Sequence, residues 1–312
     1  MIQTVTGAIC KRNMGTVLMH EHISCRSLAF DRAFGENWLD RSKLRDLAVE
    51  TLKRMKQQYG LGLMVDGTPI DLARDVSLLR EISELSDVKI VASTGLYHFP
   101  TVEIINNSAE EIAVWMTKEC TDGIYGTDIK PGILKCATGG EGITADNRKK
   151  LSAMALVQKE TDLPLYVHCE HANDVVFSQL DVLCSNGADS RKIIIGHTSV
   201  CHEIQYLERI LQEGCCICMD QCFWFRPVEI AQCLVQLCQK GYTDKILLSN
   251  DYCIHSDFCN RQKTGIELDA QKHVEGLGFV LDKLRSLFLS AGGSEQDWNK
   301  MICQNSINVL DV

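Results

Sequence analysis

The chain has 312 residues, 45% of them hydrophobic and 23% charged, a globular composition long enough for one large α/β barrel or two ordinary domains. A net charge of -9 with no Lys/Arg run argues against a nucleic-acid backbone as partner and leaves small molecules as substrates. No apolar stretch is long enough to span a bilayer, and the start lacks a basic region followed by an apolar run. A cytoplasmic protein without a signal peptide or membrane contact is therefore expected.

In chain order, short apolar runs rich in β-formers alternate with amphipathic helical patterns. Strands are expected near 16–22, 61–66, 89–94, 131–136, 164–168, 192–197, 215–220 and 246–251. Helices are expected over 42–58, 70–86, 108–120, 144–161, 171–186, 202–213, 227–240 and 273–290, with a last one near 294–310. In the helix at 108–120, Ile112, Trp115 and Met116 recur at helical steps, and Ser108 with Glu111 makes a capping box. Eight β–α pairs, five prolines in the whole chain and no linker predict one (β/α)8 TIM barrel over residues 1–312.

Sixteen cysteines would suggest disulfides in a secreted chain. Here they are scattered through apolar segments and read as small buried hydrophobes kept reduced. Cys215 and Cys218 form a CxxC on an expected strand. Their odd spacing sends them to opposite faces and removes a redox or zinc role.

The active sites of such barrels sit at the C-terminal strand ends. Those ends carry His20 and His22, then Asp66, Thr94, Lys135, His168, His197, Asp220 and Asp251. Four of the nine histidines fall there, a placement that packing alone would not favour. By strict alternation Leu18, His20 and His22 share one strand face, so both imidazoles reach one metal. Two dications about 3.5–4 Å apart repel by roughly 20 kcal/mol at an effective dielectric near 20, so a bridging anion is needed. Lys135 meets that need if its neutral amine captures carbon dioxide as a carbamate. Paired as an ammonium with Asp251 or Glu21, it does not. Spacing alone leaves both readings open.

The segments GTVLMHEH, VASTGLYH, GTDIKPGILKCATG, LPLYVHCEH, IIIGHTS and LLSNDYC, with ICQNSINVL near the end, occur in an order that resembles the phosphotriesterase-like branch of the amidohydrolase superfamily. The resemblance implies a binuclear site of two divalent ions, with zinc the expected metal. His20, His22 and Asp251 would hold one ion and His168 and His197 the other, with carboxylated Lys135 and a hydroxide bridging them. It also implies that Asp251 moves the proton, that Tyr97 lies close to the metals, and that Cys253 lines the pocket. Relatives are often dimers, so a homodimer is an expectation of the resemblance alone.

Two departures bear on the reaction. Thr198 and Ser199 follow His197 where organophosphate-hydrolysing members carry acidic relay residues, and Gln221 follows Asp220 where they carry histidine. Glutamine cannot shuttle protons, which favours a lactone or carboxylic ester over a phosphotriester. The loop QCFWFRP offers Phe223, Trp224, Phe225 and Arg226, and the following long loop offers His255, Arg261 and Lys263. Together they suggest an anionic substrate such as a phosphorylated sugar lactone. The rivals are an organophosphate hydrolase, a TatD-like nuclease (which would need a glutamate at Lys135) and a catalytically silent metal-binding scaffold. A serine hydrolase would need a GxSxG elbow, which is missing.

Overall fold

The protein was analysed as a computed structural model that describes residues 1–11, 14–170, 175–257 and 266–312. A short antiparallel hairpin, β1 (Ile2–Thr4) and β2 (Gly7–Ile9), precedes the main sheet. The sheet is formed by β3 (Thr16–Cys25), β4 (Leu61–Asp66), β5 (Lys89–Gly95), β6 (Ile133–Ala137), β7 (Leu165–His168), β8 (Ile193–Ile195), β9 (Cys216–Met219), β10 (Ile246–Leu248) and β11 (Cys253–Ser256). These nine strands run parallel in the order β10-β9-β8-β7-β6-β5-β4-β3-β11. Helices cover the outside of this curled sheet, the architecture of a TIM-barrel type fold. No helix among the described residues is long and apolar enough to cross a membrane.

All eight expected strands are present, several of them shorter at their C-terminal ends. The last is the most shortened. It stops at Leu248, and the chain turns through residues 249–252 before β11 pairs with the far end of β3, Cys253 opposite His22. Where β3 faces this turn, Asp251 N donates to His20 O at 3.0 Å and His22 N to Tyr252 O at 2.8 Å.

The strand residues sort into two apolar layers. One lies between the sheet and the helices and includes Leu18, Met64, Leu134, Val167 and Ile217. The other fills the inside of the curve with Val17, Met19, Leu63, Val91, Ile133, Tyr166, Ile194 and Cys218, closed below by Ile2, Ile307 and Leu310. Each such buried side chain contributes about 1.5–3 kcal/mol. Cys215 belongs to the outer layer and Cys218 to the inner one, as their odd spacing requires.

Strict alternation fails at one place that matters. Leu18 packs outward while Val17 and Met19 point in, yet His20 follows Met19 into the inner space beside Tyr166. The β3–β4 pairing shifts register between Leu18 and Glu21, and such an irregularity turns consecutive side chains to the same face. Leu18 therefore does not share the histidine face.

Three expected helices are interrupted, the one near 294–310 by a π-type turn over Lys300–Gln304. The one at 70–86 splits into a turn at Ile70–Leu72 and a helix Val76–Ser86, because Asp75 caps the latter through Leu78 N. The one at 273–290 contains a π-type turn over Val280–Leu284. Asn250 inserts there, its Oδ1 accepting from Val280 N at 3.0 Å and its Nδ2 donating to Leu277 O at 2.8 Å. The capping box of Ser108 and Glu111 is present as expected.

Candidate metal centre

At the C-terminal end of the inner layer the side chains change from apolar to polar. His20 and His22 come from β3, Lys135 from β6, and His168 from β7. His197 and Asp251 stand just past β8 and β10. Three residues at these strand ends adopt the left-handed region: His197 (φ 57°), Gln221 (φ 57°) and Asp251 (φ 56°). Such conformations cost about 1–3 kcal/mol each and persist where surrounding bonds impose them. Here the bonds are visible: Gln221 N donates to Asn250 O, Asp251 N to His20 O, and His197 N to Asp220 Oδ1.

Asp220 organises the histidines. Its Oδ2 accepts from His20 Nδ1 at 2.9 Å and from the Tyr166 hydroxyl, and its Oδ1 meets His197 Nδ1 at 2.9 Å. A proton held on each Nδ1 leaves each Nε2 as a lone pair directed into the cavity. His22 Nδ1 likewise bonds Thr68 Oγ1 at 2.8 Å, leaving Nε2 3.2 Å from Asp251 Oδ1. His20 Nε2 lies 2.7 Å from Lys135 Nζ, and His197 Nε2 lies 2.6 Å from His168 Nδ1. Nitrogen lone pairs crowding together in this way form a donor set suited to borderline divalent cations. The ligand atoms of His20, His22 and Asp251 all lie within 4.8 Å of one another. The residues therefore fit a metal centre.

Electrostatics agree with neutral ligands on part of the set. Burial, reinforced by Lys135, lowers the His20 imidazole to about 3, and burial with His197 holds His168 well below the ordinary imidazole value. For His197 the burial penalty is outweighed by Asp220, and for His22 by Cys25 and Asp251, so both lie above the ordinary value. Burial also opposes ionisation of Asp251, but His20, His22 and His197 hold its carboxyl low. Burial lowers the Lys135 ammonium. Lys135 faces His20 and sits 4.2 Å from the Tyr166 ring centre, and it makes no ion pair with a described carboxylate. Of the two readings left open by spacing, the ion pair of Lys135 with Asp251 or Glu21 is not found among the described residues.

Glu21 does something else. Its Oε1 accepts from Ser249 Oγ, Asn250 N and Asn250 Nδ2, and its Oε2 from Tyr252 N. This carboxyl grips the turn that carries Asp251. Gly67 is equally exacting: a Cβ there would come within 2.5 Å of the His20 ring.

A cavity of about 220 Å³ opens onto this cluster, lined also by Cys25, Leu72, Tyr97, Phe99, Gln221 and Cys253. Tyr97 stacks edge-on to His168 with ring centres 5.1 Å apart, and Gln221 Nε2 donates to Asp251 Oδ2 at 2.8 Å. The Tyr97 loop is itself anchored: Tyr97 N donates to both oxygens of Asp71 at 2.9 Å, and Lys150 Nζ to Tyr97 O and Phe99 O.

Other expectations did not converge here. Arg226 is exposed, lies 4.0 Å from Glu229 and does not line the cavity, because it begins the helix Pro227–Gln239 and points away with it. Phe223, Trp224 and Phe225 are exposed, with Phe223 packed edge-on against Phe279. His255 bonds Ser24 at 3.2 Å. Thr94 bonds Glu119, and Asp66 holds Ile23 N and Thr68 N, so neither enters the cluster. Arg261 and Lys263 lie outside the described residues. The residues missed from sequence were Asp220 as orienter, Tyr166, Thr68 and Cys25. Asp220 did carry a signal, its place at a strand end.

Comparison with known proteins gives the same picture. The profile of the Phosphotriesterase family matches residues 1–309. An aryldialkylphosphatase of Saccharolobus solfataricus is 32% identical over 256 residues, 80% of this chain and 81% of that protein. The N-acetyltaurine hydrolase of Bos taurus is 24% identical over 295 residues, 80% of this chain and 83% of that protein. A solved structure of the phosphotriesterase from Mycobacterium tuberculosis superposes with a TM-score of 0.90 at 24% identity, covering 99% of this chain and 98% of that one, and shows the shared fold. With binuclear metal centres the rule in this family, and with histidine and aspartate groups able to bind metal at its strand ends, the chain belongs to the phosphotriesterase family of metal-dependent hydrolases.

Proposed function

We propose that this protein is a binuclear metal hydrolase cleaving a lactone or carboxylic ester. The observation that carries the reading is the convergence of His20, His22, His168, Asp251 and Lys135 on one cavity, with His197 Nε2 2.6 Å behind His168 Nδ1 and the Nδ1 atoms of His20 and His197 tied to Asp220. His20, His22 and Asp251 would hold one divalent ion, zinc in our reading, and His168 and His197 the other. Lys135, carboxylated on Nζ, would supply the oxygens shared between them. Its low-pKa amine, 2.7 Å from an imidazole nitrogen, suits capture of carbon dioxide better than an ammonium role. When bound, the ions would polarise the scissile carbonyl and acidify water.

The chain's own groups account for the rest of the reaction. Asp251 takes the proton of the attacking water and returns it to the departing alkoxide. Gln221 fixes the Asp251 carboxylate through Oδ2 but offers no onward proton path, which suits an alkoxide leaving group still tethered in the ring. Tyr97, held by Asp71 and Lys150, forms the wall beside His168. Among the described residues the lining has no arginine and no lysine besides the proposed bridge Lys135, which favours an uncharged acyl substrate; the phosphorylated sugar lactone rests on Arg261 and Lys263.

We also read residues 1–312 as one barrel closed across the 249–252 turn, in a reduced cytoplasmic setting consistent with the cysteines buried in its apolar layers, such as Cys136, Cys215 and Cys218.

The test has two parts. Elemental analysis of protein made with bicarbonate and zinc is expected to give about two metals per chain, with a marked loss in Lys135→Ala. One metal or none in both would remove the bridged site. Matched panels of lactones, phosphotriesters and N-acyl amides are expected to show the highest kcat/KM for lactones. A preference for phosphotriesters, or for the amides that the N-acetyltaurine hydrolase name suggests, would replace the lactonase reading.

A further inference from the structure

Beside the histidine–aspartate group lies a second, chemically different one. Cys25, near the end of β3, and Cys253, at the start of β11, place their Sγ atoms within 4.8 Å of each other and of a ring nitrogen of His22. The neighbouring strand brings Cys253 into register with His22, so strand pairing holds two of the three groups side by side. Both thiols line the same cavity as the metal cluster and so are open to solutes that enter it. Cys25 is otherwise buried, with Thr68 Oγ1 3.9 Å from its sulfur.

Two sulfurs and one imidazole make a soft donor set. Thiolates select thiophilic cations, whereas carboxylate and imidazole accept a broad range of borderline metals. Three protein ligands with the cavity on the fourth side leave one coordination position open. From this we propose that Cys25, Cys253 and His22 form a separate site for a thiophilic d10 divalent cation, distinct in ligand chemistry from the centre of His20, His22 and Asp251. On binding, the protons held by the two sulfurs and by the coordinating nitrogen of His22 leave to solvent, and each of the three atoms donates a lone pair to the cation. No electron changes hands.

His22 belongs to both donor sets. A cation held by the two sulfurs draws on the imidazole that the other centre needs, so filling the thiol site displaces or weakens the metal beside Asp251. This competition rests on the proposed function; the sulfur site itself does not. The cavity would therefore discriminate between cations by softness, a cation softer than zinc filling the sulfur site at the expense of the ion beside Asp251.

The experiment titrates the metal-loaded protein with Cd2+, following the ultraviolet thiolate-to-cadmium absorption and the bound metal after gel filtration. One cadmium per chain with that absorption is expected in the wild type. Cys25→Ser and Cys253→Ser should each abolish the absorption and weaken cadmium binding by about tenfold or more. Cys10→Ser, at an exposed cysteine elsewhere, should leave both unchanged. An absorption that is missing in the wild type, or unaltered in the two cavity variants, overturns the proposal. Should either variant misfold, cadmium-edge X-ray absorption on the wild type decides: two sulfurs in the coordination shell are expected, and one or none would sink the site. Loss of resident metal in step with cadmium uptake supports the competition. A cadmium site in a protein that fails the Lys135 test would leave this inference standing and remove the other.

Discussion

The two ends of the parallel sheet are built from the same strands and do opposite things. At the lower end Ile2, Ile307 and Leu310 seal an interior of Val17, Leu63, Val91 and Ile133, and the side chains are satisfied by packing alone. At the upper end His20, Lys135, Asp220 and His197 are just as buried, but each needs a specific partner. A cavity of about 450 Å³ at the lower end, lined by residues such as Lys130, Pro131 and Leu163, is larger than the one over the metal centre and contains no histidine. Size does not mark the functional end. Buried titratable groups with oriented partners do, since burial without partners would cost several kcal/mol per charge. The lower end thus supplies stability, and the upper end consumes some of it in strained backbone and desolvated polar groups.

Substitutions at the two ends should separate those roles. The largest effect is expected at the upper end: Asp251→Asn should lower kcat by about 10²–10⁴-fold, the range for removing a proton carrier, with little change in the urea midpoint. Equal turnover by the two proteins would remove Asp251 from the proton path. At the lower end, Ile133→Ala should cost about 2–5 kcal/mol of stability by urea unfolding, while metal content per folded molecule stays at the wild-type level. A large metal loss in that variant would break the division between the ends.

Asp71 tests the anchoring of the Tyr97 loop. Burial raises its carboxyl to about 6, above the ordinary value of 3.8. The folded state therefore binds this proton more tightly than the unfolded chain. That contribution is complete below about 3.8 and declines as pH rises through about 6. Asp71→Asn should remove this pH-dependent part, at most about 3 kcal/mol, flattening the wild-type-minus-variant stability difference outside the window from pH 4 to 6. A difference that does not vary with pH would show that Asp71 does not titrate in this range.

Asp220→Asn should weaken metal binding by about 10–100-fold, because an amide cannot accept from two Nδ1–H groups and fix both tautomers. Competition with a chelator measures it, and unchanged affinity would contradict the orienting role. The smallest effect is expected for Arg226→Ala: exposed and, among the described residues, facing Glu229 at 4.0 Å, it should leave KM for anionic lactones unchanged. A severalfold rise would restore the anion-binding loop.

Periodicity alone located β3 to β10 of the parallel sheet, though not the β1–β2 hairpin, since a buried parallel strand must be a short apolar run and an outer helix must carry an apolar stripe. The residues of the candidate centre stood out for a related reason: histidines, a lysine and an aspartate at strand ends interrupt runs that are otherwise apolar. The sequence did not show the register shift between Leu18 and Glu21. Alternation assigns faces by counting, and only the pairing with β4 shows where the count slips. Nor could it show that β10 ends at Leu248 so that Asn250 can enter the helix around Val280.

What local sequence determined was the set of elements and the residue types brought to their ends, because both follow from short-range sterics and from the cost of exposing apolar surface. Only the tertiary structure decided which of those ends meet. Asp220 becomes the hub of His20 and His197, Cys25 comes beside Cys253, and Arg226 turns away into a helix start, through contacts that span up to 228 residues of chain. Such contacts depend on how the sheet curls and shifts register, and no local pattern encodes that geometry.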